Sequence, residues 1–249
     1  MKYGLLILLA VAIAALTGCG GSNDQTTSGL EDTVRQIQSG DEYKYTVTGQ
    51  RTDPDGTLDV AGEYALIVTG QVITTPQDVE ATVLLETFDL TANGHAVKNL
   101  AYRQYITQNA YGTIYQHGGQ TEENYWVTTP AIGCYQSMPS PLSIGATWSE
   151  NIVTVPTGNY TQTYVVTGTD TASLTTGFYQ VYRITFSGCW LTLPAHGELL
   201  YAPQIGGFVS GNIIATEYVP PMLDDEGEVI EEEYTITYNI NLTLQSISR

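Results

Sequence analysis

Residues 234–245 read YTITYNINLTLQ. Tyr234, Ile236, Tyr238, Ile240, Leu242 and Leu244 are apolar, and Thr235, Thr237, Asn239, Asn241, Thr243 and Gln245 between them are polar. Successive side chains of a strand point to opposite faces, whereas a helix would scatter this pattern around its circumference. The segment is therefore predicted as a strand with one face on a core and the other in water. That is the pattern of an antiparallel sheet.

Shorter versions recur along the chain. Tyr43, Tyr45 and Val47 alternate with Lys44, Thr46 and Thr48, and Tyr64, Leu66 and Val68 follow. Val79, Ala81, Val83 and Leu85 are predicted on a buried face, with Glu80, Thr82 and Glu86 opposite. Phe178, Tyr182, Ile184 and Phe186 share a face in the same way. Turn signals separate the runs: Asp53-Pro54-Asp55-Gly56, Asn93-Gly94, Tyr111-Gly112, Thr157-Gly158-Asn159, Thr176-Gly177 and Asp225-Glu226-Gly227. Only LEDTVRQIQ, residues 30–38, reads as helix, with Leu30, Val34 and Ile37 on one side. The expected fold is all-β: a curved antiparallel sheet, half-barrel or sandwich-like, with at most one short N-terminal helix. MPSPLSIG, residues 138–145, is the best candidate for a joint between halves, or a loop within one sheet.

The N-terminus carries an address. Lys2 precedes the apolar residues 5–16, a length that suits a secretory signal and is too short to span a bilayer as a helix. Leu16-Thr17-Gly18-Cys19 then resembles a bacterial lipobox. The resemblance implies cleavage before Cys19 and attachment of a diacylglycerol to its thiol. Two or three acyl chains anchor stably, where one is marginal. Residues 20–29 are Gly, Ser, Asn, Asp, Gln and Thr, a composition suited to a flexible tether. The expected layout is a signal peptide at 1–18, a lipidated cysteine and tether at 19–29, and a β-rich domain at 30–249. Gly20 stands where an Asp would favour inner-membrane retention. The resemblance thus favours the outer membrane in a diderm cell, with a Gram-positive or archaeal surface left open.

Composition excludes some partners. The chain has 8 Lys plus Arg against 26 Asp plus Glu, a formal net charge of −18. Such a chain repels nucleic acid and anionic headgroups. Beyond Cys19 there are two cysteines, Cys134 and Cys189, each after a glycine and before an aromatic residue. In an exported protein they are expected to form a disulfide, which would stabilise by about 4 kcal/mol in the chain-entropy model. Two buried thiols are the alternative. His95, His117 and His196 lie far in sequence from both cysteines and have no metal-ligand spacing, so neither a metal nor another cofactor is expected. The acidic run DDEGEVIEEE, residues 224–233, lacks the regular spacing of a calcium loop and reads as a solvated hairpin tip.

No hydrolase elbow, zinc-protease helix, phosphate loop or dinucleotide fingerprint is present. His196-Gly197-Glu198 puts a base near a carboxylate without a nucleophile, and a turn between strands is the simpler expectation. Trp126, Trp148 and Trp190 could stack on sugars or pack in a core. The order PLSIGATW (141–148), a strand pair over 163–188, then GELLYAPQIGGFVSG (197–211) resembles a group of uncharacterised bacterial exported lipoproteins. Tyr201, Ala202, Pro203, Ile205, Gly206 and Val209 carry the match, while Ser210 replaces their usual Lys. The resemblance covers about the C-terminal half and implies a curved sheet similar to the half-barrels of lipoprotein carriers. The long helices of carriers have no counterpart here. Three functions follow for comparison. The first is a non-enzymatic, lipid-anchored protein binding an apolar ligand or an envelope partner. The others are an envelope hydrolase with an acidic site, and a structural or polysaccharide-contacting surface protein.

Overall fold

The computed structural model describes residues 34–75, 78–121, 126–127, 135–154, 158–190, 193–224 and 228–248. Cys19, the tether and Cys134 fall outside these residues, as do Thr157 and Asp225-Glu226-Gly227. The first half contains β1 (Glu42–Asp53), β2 (Gly56–Thr74), β3 (Glu80–Ala92), β4 (His95–Gln108), β5 (Ile114–Thr121), β6 (Trp126–Val127) and β7 (Tyr135–Met138). The second contains β8 (Thr147–Thr154), β9 (Gly158–Leu174), β10 (Gly177–Trp190), β11 (Leu193–Ala202) and β12 (Gly207–Val219). It continues with β13 (Met222–Leu223), β14 (Val229–Glu231) and β15 (Tyr234–Ser248).

The strands form an antiparallel meander in the order β6-β5-β4-β3-β2-β1-β15-β12-β11-β10-β9-β8, with β7 beside β5. The sheet is curved and does not close into a barrel; β6 and β8 end its path. The segment 234–245 is its keystone. β15 lies between β1 and β12 and joins the two halves. Ile236, Tyr238, Ile240, Leu242 and Leu244 are all buried, while Asn239, Asn241, Thr243 and Gln245 are exposed. The strict alternation therefore marks a strand that is wet on one face only.

The concave face is covered by the sheet itself. The Trp190 ring on β10 lies 5.0 Å from Phe88 on β3 and 5.9 Å from Tyr64 on β2. In the sheet β1, β15, β12 and β11 separate β10 from β2. The sheet has curled until its two halves share one apolar layer, which also takes in Tyr45, Leu90, Ile213 and Leu242. A second cluster packs Met138, the last residue of β7, and Leu142 beyond it against Val166, Tyr182, Ile184 and Tyr201. The Pro-containing stretch 138–145 thus contributes to the core between the halves.

Three expectations are corrected. There is no helix over the described residues 34–38. The Arg35 N–H donates to Pro203 O (3.0 Å), the Ile37 N–H to Gln108 Oε1 (2.8 Å) and the Gln38 N–H to Asp41 Oδ2 (2.8 Å). Backbone donors engaged in these bonds cannot make helical i→i−4 bonds. Phe178 keeps the parity of Tyr182, Ile184 and Phe186 but sits at the turn end of β10 and is 82% exposed, so it does not share their burial. Glu86, expected in water, is buried, because β3 changes which face it buries. Ala81 and Val83 pack with Tyr105 on one face, and Phe88 and Leu90 further along the strand fill the opposite, concave face.

Residues 34–41 form a strap across one end of the curled sheet. Arg35 donates to Tyr43 Oη (2.9 Å) and to Ile205 O (3.2 Å), and ion-pairs with the fully buried Asp41 (2.6 Å). The strap reaches the β11–β12 turn through Pro203 and the β4–β5 turn through Gln108. The β11–β12 turn is the Tyr-Ala-Pro motif of the sequence. Gly206 has φ +67, a left-handed conformation that glycine adopts freely, and the chain reverses there into β12. Antiparallel alternation then sets the opposite end. The β1–β2, β3–β4 and β10–β11 turns lie there with the two-stranded β13–β14 ribbon.

Candidate functional site

The ribbon end of the trough has a defined mouth. Lys98 on β4 reaches across to Glu217 on β12, Nζ to Oε1 at 2.6 Å. Tyr238 on β15 donates to the other carboxylate oxygen at 3.0 Å. Lys98 thereby ties β4 to the neighbouring strands β12 and β15, from which it lies apart in the sheet. Desolvation first, then the Glu217 charge, pushes the Tyr238 phenol up to about 12. It therefore remains a neutral donor at physiological pH.

Beneath this tie lies a small cavity of about 10 Å³, lined by Phe88, Leu100, Trp190, Leu193, Ala215 and Ile240 together with Lys98 and Tyr238. That is room for about one water molecule. The trough at this point is filled by its own aromatic and aliphatic side chains.

Deeper along β3, the buried Glu86 accepts from Tyr64 Oη and from Gln104 Nε2, each at 2.6 Å. Both of its carboxyl oxygens are thus held by neutral donors. Burial pushes the Glu86 carboxyl above its ordinary value of 4.5, against both hydrogen bonds, which favour the charged form. The folded chain therefore keeps a proton at pH values where the unfolded chain has lost it. The charged carboxyl costs stability most above its folded pKa, and the cost is relieved as pH falls through that value towards the ordinary one. Glu86→Gln should remove this dependence. In urea melts across pH, the stability of the variant relative to the native chain is expected to rise with pH. Two curves that stay parallel would show that Glu86 does not titrate differently on folding.

The other sequence candidates are spread over the fold. His196 and Glu198 lie within β11, which corrects the expected turn; His196 is exposed and Glu198 accepts from Arg183 at 2.8 Å. Arg183 also holds Asp170 at 2.7 Å, so this is an ion-pair network on the outer face. Trp190 belongs to the core and Trp148 stacks on Tyr164 at 4.8 Å. Cys189 is buried on β10 with its Sγ 3.6 Å from Gln162 Oε1. Cys134 lies outside the described residues. Among the described residues no group of three or more His, Cys, Asp or Glu is placed to hold a metal.

Sequence reasoning missed Glu86, Lys98 and Glu217. For Glu86 a signal existed, since Phe88, Leu90 and Ala92 continue its parity while Thr87, Asp89 and Thr91 take the other. Nothing local pairs Lys98 with Glu217, because their contact depends on how far the sheet curls.

No family model matches the chain, and no match was found among curated proteins. One solved structure is similar, that of a protein from Bacteroides fragilis assigned as exported and having a YmcC-like fold. It shares 11% identity over 88% of this chain and 100% of its own, with a TM-score of 0.37.

Proposed function

We propose that the chain is a lipid-anchored, non-enzymatic protein of the cell envelope that works by binding an envelope partner at the ribbon end of its curved sheet. The observation that carries this reading is the filled trough. A curved apolar face must be covered by its own chain, a ligand or a partner. Here Trp190, Phe88 and Tyr64 cover it from within, and among the described residues the cavity beneath the Lys98–Glu217 tie, about 10 Å³, is far below ordinary ligand pockets of about 300–1,000 Å³. Of the two binding modes considered, a partner on the outside is therefore preferred to an apolar ligand inside. Glu86 has hydrogen-bond partners from Tyr64 and Gln104, which suits a structural role rather than hydrolysis.

The lipobox at residues 16–19 supplies the anchor, and Gly20 directs it to the outer membrane in a diderm cell. The Cys134–Cys189 bridge belongs to the same exported reading. Residues 20–33 span at most about 50 Å when fully extended and join the described fold at its strap end.

Two measurements test this. Native mass spectrometry of the detergent-solubilised, lipidated chain should show the protein without a further apolar molecule; a stoichiometric copurified lipid would place a ligand in the trough and overturn the reading. Cys19→Ala should abolish metabolic labelling with a fatty acid and release any cleaved chain from the membrane. Label retained in this variant would refute the anchor.

A further inference from the structure

We propose that the β13–β14 ribbon is a docking arm for a cationic polypeptide segment that interleaves Lys or Arg with apolar residues. This deepens the partner-binding reading and rests on it. The ribbon is unusual for its exposed apolar side chains. Met222, Leu223, Val229 and Ile230 are 55%, 54%, 52% and 60% exposed, on a two-stranded ribbon separate from the main sheet. Apolar side chains gathered on a small exposed ribbon mark an interaction surface rather than a stable solvated tip. The four residues gain nothing for the core, which is built elsewhere.

Charge selects the occupant. Asp224, Glu228, Glu231, Glu232 and Glu233 flank these four residues along the chain, and the sequence from 184 to 248 contains no Lys or Arg. Burying the apolar residues brings a partner's rim against the carboxylates. An anionic or neutral rim would desolvate them uncompensated, whereas Lys and Arg would pair with them. A second copy of this chain supplies that rim poorly. Of its described cations, Arg35, Lys44, Arg51, Lys98 and Arg183 are already in ion pairs with its own acids, which leaves the single exposed Arg103 against five ribbon carboxylates. An anionic membrane surface would be repelled by the same carboxylates. The partner is thus a cationic chain with apolar residues between its charges.

The test uses the full lipidated chain in detergent, with empty micelles as the blank. The probe is a fluorescent peptide alternating Lys with Val and Thr. It should bind, more weakly as salt rises, and a peptide with Glu in place of each Lys should not. The variant Met222→Ser/Leu223→Ser/Val229→Ser/Ile230→Ser keeps every charge, and it should bind the Lys peptide at least tenfold more weakly. Its urea midpoint should match the native chain; if it does not, Met222→Ser/Ile230→Ser replaces it and should still weaken binding several-fold. Unchanged binding by the variants would show that only the general negative charge attracts the probe, and would overturn the proposal. So would equal binding of the Glu peptide, self-association of the native chain that the variant loses, or adsorption of the Cys19→Ala chain to vesicles that the variant loses. None of these outcomes bears on the filled trough or the anchor, which the two earlier measurements decide separately.

Discussion

Ile240→Asp is expected to remove several kcal/mol of stability, whereas Asn241→Asp, at the adjacent position, should change it by only about 0.5 kcal/mol. Ile240 is fully buried on β15, opposite Gly49 of β1 and Ile213 of β12. A carboxylate there would lie in the apolar layer that joins the two halves of the sheet. It would either take up a proton or open the layer. Against a typical reserve of about 5–15 kcal/mol, the loss would leave the chain close to unfolding at 37 °C. Asn241 points to water and accepts from Asn212 Nδ2 at 3.0 Å, a bond that an Asp oxygen can also accept. The cost at that site is the repulsion of one more negative charge in an acidic chain. Urea melts of both variants read the contrast, and equal losses would mean that β15 is not half-buried.

The second large effect concerns curvature. Gly62→Ala should destabilise by about 3 kcal/mol, at the upper end of the usual range for overpacking. Gly62 on β2 pairs with Val47 of β1 and Leu90 of β3. A Cβ added there would lie 1.8 Å from Asp89 O, a backbone atom that cannot swing aside. Its absence lets neighbouring strands approach as the sheet curls, and without that curl Phe88 and Trp190 would not meet. Gly168 on β9 is the control: nothing lies within 4 Å of its Cβ position. Gly168→Ala should be neutral or stabilise by about 0.4–1 kcal/mol through the unfolded chain. Comparable destabilisation of the two variants in urea melts would show that the close approach at Gly62 can relax.

The architecture was legible in the sequence where periodicity and turn chemistry spoke together. The alternation over 234–245 identified the buried set of β15, and Asn93-Gly94 and Asp53-Pro54-Asp55-Gly56 both fall at hairpins. Local pattern failed in two ways. At residues 34–38 the helical spacing of apolar residues was overridden by tertiary acceptors on Pro203, Gln108 and Asp41, which no window around the segment reveals. On β3 one parity was extended through a strand that changes its buried face midway, and this put Glu86 in water. The mouth was illegible for a different reason. Lys98 and Glu217 come together only through the summed curl of the strands between them, a global property that no single strand encodes. The ribbon was half legible: its charges suggested a solvated tip, but their mixture with four exposed apolar residues was the more informative feature.

The position of β15 also bears on the order in which the chain can assemble. Its pairing with β1 brings Glu42 opposite Ser248, so the contact spans nearly the whole described chain. Strands β1 to β5 and β8 to β12 can each zip up by local hairpins. Their two apolar faces cannot be joined until residues 234–248 have been delivered. A polypeptide emerging N-terminus first would therefore form two incomplete sheets with open edges at β1 and β12 before residues 234–248 arrive. Such topology, rich in long-range pairings, folds slowly and exposes strand edges while it waits. A holdase that shields those edges would have its greatest effect in the interval before the keystone strand arrives.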